Sequence, residues 1–256
     1  MHADVLAFGP HPDDLEIGLG GTLAKHAALG HRVGLCDLTR GELGSNGTPE
    51  ERLAEAEKAR AVLGAAWREN LGWPDRGIGS STAHVTSAAA LIRRTKPRVI
   101  AVPYWDDRHP DHGAASSVLT EAVFNARLRR YAVEGEPWNP EWVCYYFIND
   151  SAPASFVLDV SAHYEMKRRA LACYRSQFEP PLPDKASAGP TKLEKRSRAA
   201  FAQGDGGVAT RLTSPRFMQL IESRDAQFGA LAGVAFAEGF IVKEPVLRPT
   251  LFKQSL

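Results

Sequence analysis

The chain has 256 residues, of which 44% are hydrophobic and 24% charged, as in a folded globular protein rather than a disordered or membrane-spanning one. Lysine and arginine (31) nearly balance aspartate and glutamate (30), so we expect no nucleic-acid partner, which a strong basic excess would favour. Three isolated cysteines, no apolar run of about 20 residues and no signal-peptide pattern favour a cytoplasmic protein without a membrane partner.

Short apolar runs alternate with helical patterns along the chain. The predicted strands are 4–8, 33–38, 66–71, 98–102, 143–148 and 156–160, and the predicted helices are 16–29, 49–63, 85–95, 113–130, 161–175 and 215–231. The second helix opens with the capping box Thr48-Pro49-Glu50-Glu51 and ends at Gly64. This alternation predicts an α/β fold of the Rossmann-like, doubly wound kind: a mostly parallel sheet with helices on both faces.

We expect a single catalytic domain over residues 1–256, interrupted by the segment 179–214. That segment contains four prolines, several glycines and a basic cluster, and it is longer than an ordinary connection. We interpret most of it as a solvated, mobile surface insertion. The alternative is a lid over a nearby site.

Two polar clusters follow predicted strands. His11-Pro12-Asp13-Asp14 comes directly after the first strand, and the segment Asp106 to His112 comes after the fourth. In an open doubly wound sheet these two strands are neighbours, the direction of the connections reverses between them, and ligands bind outside their carboxyl ends. The two clusters are therefore predicted to form one site.

The residue types at this site fit a metal. Imidazole and carboxylate suit zinc, and a catalytic zinc has three protein ligands and an open position. We predict His11, Asp14 and His112 as the ligands; such a set also accepts Fe²⁺. Asp13 remains beside the metal as the general base. The alternative for the first cluster alone is a strand-ending turn, because proline and aspartate are common in turns.

Three further side chains have predicted roles. His109 is expected to stabilise the developing oxyanion, and Asp111 to accept a hydrogen bond from one of the imidazoles and fix its tautomer. Arg52, one turn into the second helix, is predicted to hold an anionic or hydroxyl-rich substrate. The alternative for Arg52 is a weak pair with Glu55 along the helix surface.

The glycines between Gly18 and Thr22 suggest a dinucleotide-binding loop, which would make the chain a non-catalytic nucleotide-binding module. The spacing opposes this alternative, because Leu23 stands where the motif needs its third glycine. We interpret these glycines as allowing the first helix to pack closely on the sheet.

The paired motifs resemble those of a known family. Together with Glu16-Ile17-Gly18 and Gly20-Gly21-Thr22, the first cluster and Arg108-His109-Pro110-Asp111-His112 resemble the LmbE-like (PIG-L) family of zinc-dependent N-acetylglucosamine deacetylases. Within that family the chain is similar to the deacetylases of bacillithiol biosynthesis in the segments 38–48, 74–77, 103–107, 176–178 and 237–240. The resemblance covers nearly the whole chain apart from the insertion.

This resemblance implies roles for nine residues. His11, Asp14 and His112 would bind zinc and Asp13 would act as the base; His109 would assist at the oxyanion with Asp111 behind it; Arg52, Arg108 and Asn46 would contact sugar or malate. Family members often place a tyrosine where this chain carries Arg216-Phe217, and Tyr104 is the tyrosine nearer the metal motif in sequence.

The resemblance also implies a substrate and an assembly. The substrate would be N-acetylglucosaminyl-L-malate, hydrolysed to glucosaminyl-malate and acetate. The alternatives are deacetylation of another N-acetylglucosaminide and hydrolysis of the amide of a thiol-sugar conjugate. The implied partner, besides this small molecule, is further copies of the chain in a homo-oligomer, for which a hexamer is one form.

Overall fold

A computed structural model describes residues 1–179 and 207–245 of the chain. The predicted insertion 179–214 therefore lies largely outside the described residues. Among the residues that are described, every helix is too short or too polar to cross a lipid bilayer.

Seven strands form one sheet within the described ranges. In chain order they are β1 (Val5–Gly9), β2 (Val33–Thr39), β3 (Trp67–Trp73), β4 (Val99–Pro103), β5 (Trp142–Tyr146), β6 (Phe156–Asp159) and β7 (Ala237–Ile241). Their spatial order is β3-β2-β1-β4-β5-β7-β6. The first five are parallel to one another, and β7 runs antiparallel to both of its neighbours.

Helices cover both faces of this sheet. They are α1 (Asp14–Ala28), α2 (Pro49–Leu63), α3 (Thr82–Thr95), α4 (Pro110–Ala126), α5 (Tyr164–Leu171), α6 (Arg175–Phe178) and α7 (Pro215–Ala232), with a 3-10 turn at Ser161–His163. Ala7 of β1 packs with α1, α2, α5 and α7, whereas its neighbours Leu6 and Phe8 pack with α3 and α4 on the other face. The predicted doubly wound α/β fold is confirmed.

The capping box predicted for the second helix is present. Thr48 accepts a hydrogen bond from the backbone N–H of Glu51, whose carboxylate accepts one from the N–H of Thr48. Pro49 occupies the first helical position, and Gly64 ends the helix with a φ of 73°, in the left-handed region that favours glycine. These contacts explain why the bounds of α2 match those predicted.

Two elements differ in kind from the prediction, and the bounds of α3 and α4 also differ from the predicted 85–95 and 113–130. The strand β7 is not predicted, because Glu238 and Gly239 interrupt its short apolar pattern. The single helix predicted over 161–175 is instead the 3-10 turn, α5 and the start of α6. Both differences in kind arise in the part of the chain where the parallel βα alternation ends.

The glycines of α1 allow close packing, as predicted. A Cβ at Gly18 would overlap the ring of Tyr146 on β5, and a Cβ at Gly21 would lie 2.7 Å from the Cβ of Val160. These glycines therefore face packed side chains and bring α1 close to the sheet.

Candidate metal centre and active site

The two polar clusters meet at the carboxyl edge of the sheet. His11 lies in the turn after β1, and Asp14 begins α1, which crosses one face. His112 lies in the first turn of α4, which follows β4 and crosses the other face. Because β1 and β4 pair in parallel, the connections diverge between them and leave a crevice where both clusters lie.

Two of the predicted ligands, His11 and His112, face the carboxylate of the third, Asp14. Asp14 Oδ2 lies 3.0 Å from His11 Nδ1 and 3.4 Å from His112 Nε2, and all three residues are buried. The backbone N–H of His11 also donates to Asp14 Oδ2 at 2.9 Å. Two imidazole nitrogens facing one carboxylate are a donor set that suits a divalent metal with an open coordination position. The residues present therefore fit the implied metal.

The ring nitrogen of His11 that does not face Asp14 lies near two further carboxylates. His11 Nε2 lies 3.3 Å from Asp75 Oδ1 and 3.3 Å from Asp111 Oδ2. Asp111 also accepts hydrogen bonds from the backbone N–H and the guanidinium of Arg76, at 2.8 and 2.9 Å. Asp111 is thus placed to fix the tautomer of His11.

The structure differs here from what the resemblance implies, which is that Asp111 lies behind His109. The contact between these two residues is made by the backbone N–H of Asp111, which lies 3.3 Å from His109 Nδ1. The carboxylate of Asp111 points instead to His11 and Arg76, which take both of its oxygens.

The ring nitrogen of His112 that does not face Asp14 lies near Asp107. His112 Nδ1 lies 3.0 Å from Asp107 Oδ1. Burial alone would raise the pKa of the Asp107 carboxyl, but hydrogen bonds from His112 and from the backbone N–H groups of His109 and Asn149 hold it well below its ordinary value. Asp107 therefore carries a negative charge behind the imidazole.

The sequence predicts no role for Asp75 or Asp107, although Asp107 belongs to the second predicted cluster. The signal for Asp107 is its place in the second cluster, five residues before His112. Asp75 is harder to find, because it depends on β3, whose strand pattern is weak. It follows that strand at the same edge of the sheet.

Asp13 lies beside the ligand set in a strained conformation. Its φ is 115°, a value that costs a residue with a side chain about 1–3 kcal/mol. Burial raises the pKa of the Asp13 carboxyl to about 7, although the Arg52 guanidinium, 3.3 Å away, opposes the rise. A carboxyl group that titrates near neutral pH is suited to accepting and releasing a proton.

His109 lies next to both imidazoles of the ligand set. Its ring centroid is 4.9 Å from that of His11 and 4.7 Å from that of His112, and the side chain is half-buried at the N-terminus of α4. One nitrogen from each of the three rings lies within 4.8 Å of the others. His109 is thus close enough to assist at the reacting carbonyl, as predicted, or to serve as an additional ligand.

Arg52 is enclosed rather than open to a substrate. Its guanidinium donates to the carbonyl oxygens of Pro12 and Gly41, at 2.7 and 3.0 Å, and contacts Asp13. The alternative surface pair with Glu55 is not formed, since that carboxylate accepts hydrogen bonds from Ser176. The structure thus differs from both expectations: Arg52 joins the loop after β2 to the turn that carries Asp13.

The other two predicted substrate contacts lie in different environments. The side-chain amide of Asn46 donates to the carbonyl of Val208 at 2.8 Å and accepts from its N–H at 2.7 Å, so it holds the chain at Val208 instead of facing a substrate. Arg108 has an exposed side chain just after β4. Of the three residues, Arg108 retains the environment that substrate contact requires.

The two aromatic positions considered for the oxyanion are packed. Tyr104 contacts the rings of Trp105 and Phe147. Phe217 is buried and stacks on Phe178, with ring centroids 6.2 Å apart. The ring contacts of both residues are thus with other aromatic side chains, whereas those of His109 are with the imidazoles of His11 and His112.

A doubly wound sheet with this donor set and a second buried carboxylate at its switch point defines a metal-dependent hydrolase. Residues 6–123 match the model of the PIG-L family, described as GlcNAc-PI de-N-acetylase. 1D-myo-inositol 2-acetamido-2-deoxy-alpha-D-glucopyranoside deacetylase 2 of Saccharopolyspora erythraea is 31% identical over 225 residues, which span 65% of this chain and 81% of that protein.

Two further proteins are similar over much of their length. Diacetylchitobiose deacetylase of Thermococcus kodakarensis is 29% identical over 189 residues, 68% of this chain and 70% of that protein. A conserved protein from Thermus thermophilus, whose crystal structure is known, is 36% identical in sequence to this chain. The match covers 98% of this chain and 100% of that one, with a TM-score of 0.78. The chain belongs to the PIG-L family, and it is an enzyme of the deacetylase class.

Proposed function

We propose that this deacetylase depends on zinc and hydrolyses the N-acetyl group of N-acetylglucosaminyl-L-malate to acetate and glucosaminyl-malate. The observation that carries the proposal is the convergence of His11, Asp14 and His112 beside the buried carboxylate of Asp13. Relatives named as deacetylases of diacetylchitobiose and of an acetamido-glucopyranoside support an N-acetylglucosaminide as the class of substrate.

The proposed reaction uses the three metal ligands, the carboxylate of Asp13 and the imidazole of His109. A divalent metal on the three ligands would supply Lewis acidity, which polarises a carbonyl and lowers the pKa of water. Asp13 takes a proton from water as the water oxygen attacks the acetyl carbon, and delivers it to the glucosamine nitrogen as the C–N bond breaks. His109 donates a hydrogen bond to the developing oxyanion.

The malate part of the proposal is supported by exposed arginines at the same edge of the sheet. Arg40 directly follows β2 and Arg108 lies close after β4, and both residues are exposed. Guanidinium groups bind carboxylates with paired hydrogen bonds. Malate carries two carboxylates, so a rim of this charge favours it over a neutral aglycone.

Acetate release from several substrates tests the proposal. N-acetylglucosaminyl-L-malate would be compared with N-acetylglucosamine, diacetylchitobiose and the acetylated inositol glucosaminide, on zinc-loaded, iron-loaded and metal-stripped protein. We expect a kcat/KM about tenfold higher or more for the malate compound than for N-acetylglucosamine, because a charged hydrogen bond contributes about 1.5–3 kcal/mol.

The other outcomes separate the alternatives. Preference for the inositol compound or for diacetylchitobiose would contradict the malate proposal and leave the deacetylase class intact. Faster hydrolysis of a thiol-sugar amide would support that alternative instead. Full activity of the metal-stripped protein would contradict the metal site itself.

A further inference from the structure

His112 faces the ligand set with one of its two ring nitrogens. Nε2 lies 3.4 Å from Asp14 Oδ2, whereas Nδ1 lies 3.0 Å from Asp107 Oδ1. A neutral imidazole carries its hydrogen on one nitrogen and a lone pair on the other, and the lone pair binds a metal. The group that keeps the hydrogen on Nδ1 therefore makes Nε2 available as a ligand.

Two groups beside Nδ1 of His112 require opposite protonation of that nitrogen. The carboxylate of Asp107 can only accept, which requires a hydrogen on Nδ1, whereas the amide Nδ2 of Asn149, 3.4 Å away, can only donate. The carboxylate is closer and charged, and it also accepts from Asn149 Nδ2 at 3.1 Å. Imidazole and amide thus both donate to Asp107, and the conflict is resolved in favour of a hydrogen on Nδ1.

Asp107 is itself fixed in place. Its side chain is 1% exposed. Oδ1 accepts from the backbone N–H of His109 at 2.9 Å, and Oδ2 accepts from that of Asn149 at 2.9 Å. These donors belong to the loops after β4 and after β5, so the carboxylate cannot turn away from His112 without leaving N–H groups from both loops unpaired.

We propose that Asp107 is a positioning residue of the metal centre: it keeps the hydrogen of His112 on Nδ1 and fixes the ring, so that Nε2 presents its lone pair to the metal. This inference rests on the metal site of the proposed function and is independent of which substrate is used. Loss of a group behind a metal-bound imidazole typically lowers metal affinity about 10–100-fold.

Metal binding by two variants of Asp107 tests this inference. Zinc affinity would be measured by competition with a chromogenic chelator for Asp107→Ala and Asp107→Asn, and the absorption spectrum of the Co²⁺-loaded proteins would be recorded. We expect about 10–100-fold weaker zinc binding and an altered Co²⁺ spectrum. Asp106→Asn is the matched control, because Asp106 is the exposed neighbour and its variant should bind zinc like the wild type.

A purely structural role for Asp107 predicts a different pattern. It would lower the Tm of the metal-free variants but leave the zinc affinity and the Co²⁺ spectrum unchanged, and that result would overturn the proposal. Failure of all tested substrates with normal zinc binding would instead count against the proposed function alone.

Nuclear magnetic resonance of the wild-type protein keeps the proposal testable if the variants fail to fold. In zinc-loaded protein with ¹⁵N-labelled histidine, we expect His112 to carry a hydrogen on Nδ1 and to bind the metal through Nε2. His112→Gln would identify its signals. An Nδ1 that lacks hydrogen, or that binds the metal, would overturn the proposal.

Discussion

Adjacent carboxylates at the start of α1 have different partners. Asp14 faces two imidazole nitrogens, whereas Asp13 faces the guanidinium of Arg52. The backbone φ of 115° at Asp13 lets two consecutive side chains approach the same centre from different directions. This arrangement suits the predicted roles of Asp14 as a ligand and Asp13 as a proton carrier.

Replacing the proton carrier should separate catalysis from metal binding. We expect Asp13→Asn to keep its metal, because Asp14 and the imidazoles are unchanged, and to lose about 10²–10⁴-fold in kcat. Acetate release and metal content measured on the same sample check this. His112→Gln is the contrasting variant and should lose metal. An Asp13→Asn protein with most of its activity would show that another group is the base.

The exposed Arg108 should act on binding rather than on chemistry. We expect Arg108→Ala to raise the KM for N-acetylglucosaminyl-L-malate about tenfold with kcat little changed, the pattern of an interaction present in both ground and transition states. The KM for N-acetylglucosamine should not change. Arg129→Ala, an exposed arginine beyond the far end of α4, is the control. An equal effect on both substrates would contradict a contact with malate.

The three proposed ligands are predictable from the sequence, but not all of the residues around them are. His11, Asp14 and His112 are predictable because each closely follows a strand, and parallel strands end at one edge. The contacts of Arg52 and Asn46 are not, because their partners lie far away in sequence: Asn46 pairs with Val208, 162 residues later. Such pairs depend on how loops pack after the sheet has formed.

Among the elements, α1 carries the predicted ligand Asp14 and packs closely on its neighbours through three glycines. Gly18, Gly20 and Gly21 face Tyr146, Lys167 and Val160, respectively. The hydroxyl of Tyr146 donates to the carbonyl of Phe8 at 2.8 Å, so the ring that fills the space beside Gly18 is fixed to β1. The position of Asp14 therefore depends on small residues further along the same helix.

Adding one methyl group to this helix should be costly. Gly18→Ala improves helix propensity, but its Cβ overlaps the fixed ring of Tyr146, and overpacking of this kind costs about 1–3 kcal/mol. We expect a lower free energy of unfolding in urea and weaker metal binding. The control is Gly79→Ala, where a Cβ would meet no atom of the described residues within 4 Å. Equal stability of the two variants would contradict the packing argument.

The elements were predictable where a local pattern exists. The capping box of α2 and the alternating parallel strands are local, and their bounds follow closely. The strand β7 was not predictable because Glu238, a buried charge, breaks its pattern. That charge is tolerated because Lys167, 71 residues earlier in the chain, lies 2.7 Å from it.

Across the whole molecule, a buried ionic cluster connects elements from both ends of the chain. Lys167 Nζ of α5 lies 2.6 Å from Asp225 of α7 and 2.7 Å from Glu238 of β7. Glu238 accepts hydrogen bonds from the backbone N–H groups of Gly21 and Thr22 in α1, at 2.9 and 2.7 Å. The helix that carries Asp14 is thus joined to the last strand of the sheet.

Removing the cation should destabilise the whole fold. Lys167→Met leaves Glu238 without its buried cation and Asp225 with Arg224 as its remaining one, and breaking a buried pair costs about 3–5 kcal/mol. We expect this loss in the free energy of unfolding, measured in urea. Arg98→Met removes an exposed partner of Glu141 and should leave stability nearly unchanged. A Lys167→Met protein as stable as this control would contradict the importance of the cluster.

The homo-oligomer implied by the resemblance stays a prediction. The exposed side chains of Phe124 (50%) and Trp142 (41%) support it, since large apolar groups at a surface favour association. Light scattering should give a mass several times the 27.9 kDa of one chain. Phe124→Asp should lower that mass if this surface takes part, and a wild-type mass of a single chain would contradict the prediction.

Because β7 comes late in the chain but lies inside the sheet, the strands cannot join the sheet in the order in which they are synthesised. β7 is the last described strand to be synthesised, yet it lies between β5 and β6, and β6 is paired with β7 in the described part of the chain. During synthesis, β6 therefore cannot pair with the sheet until β7 has been made. Until then the edge of β5 that later pairs with β7 stays unpaired and can associate with other nascent chains. The carboxylate of Glu238, which accepts hydrogen bonds from Gly21 and Thr22 in α1, belongs to β7, so α1 gains this contact only after β7 has been made.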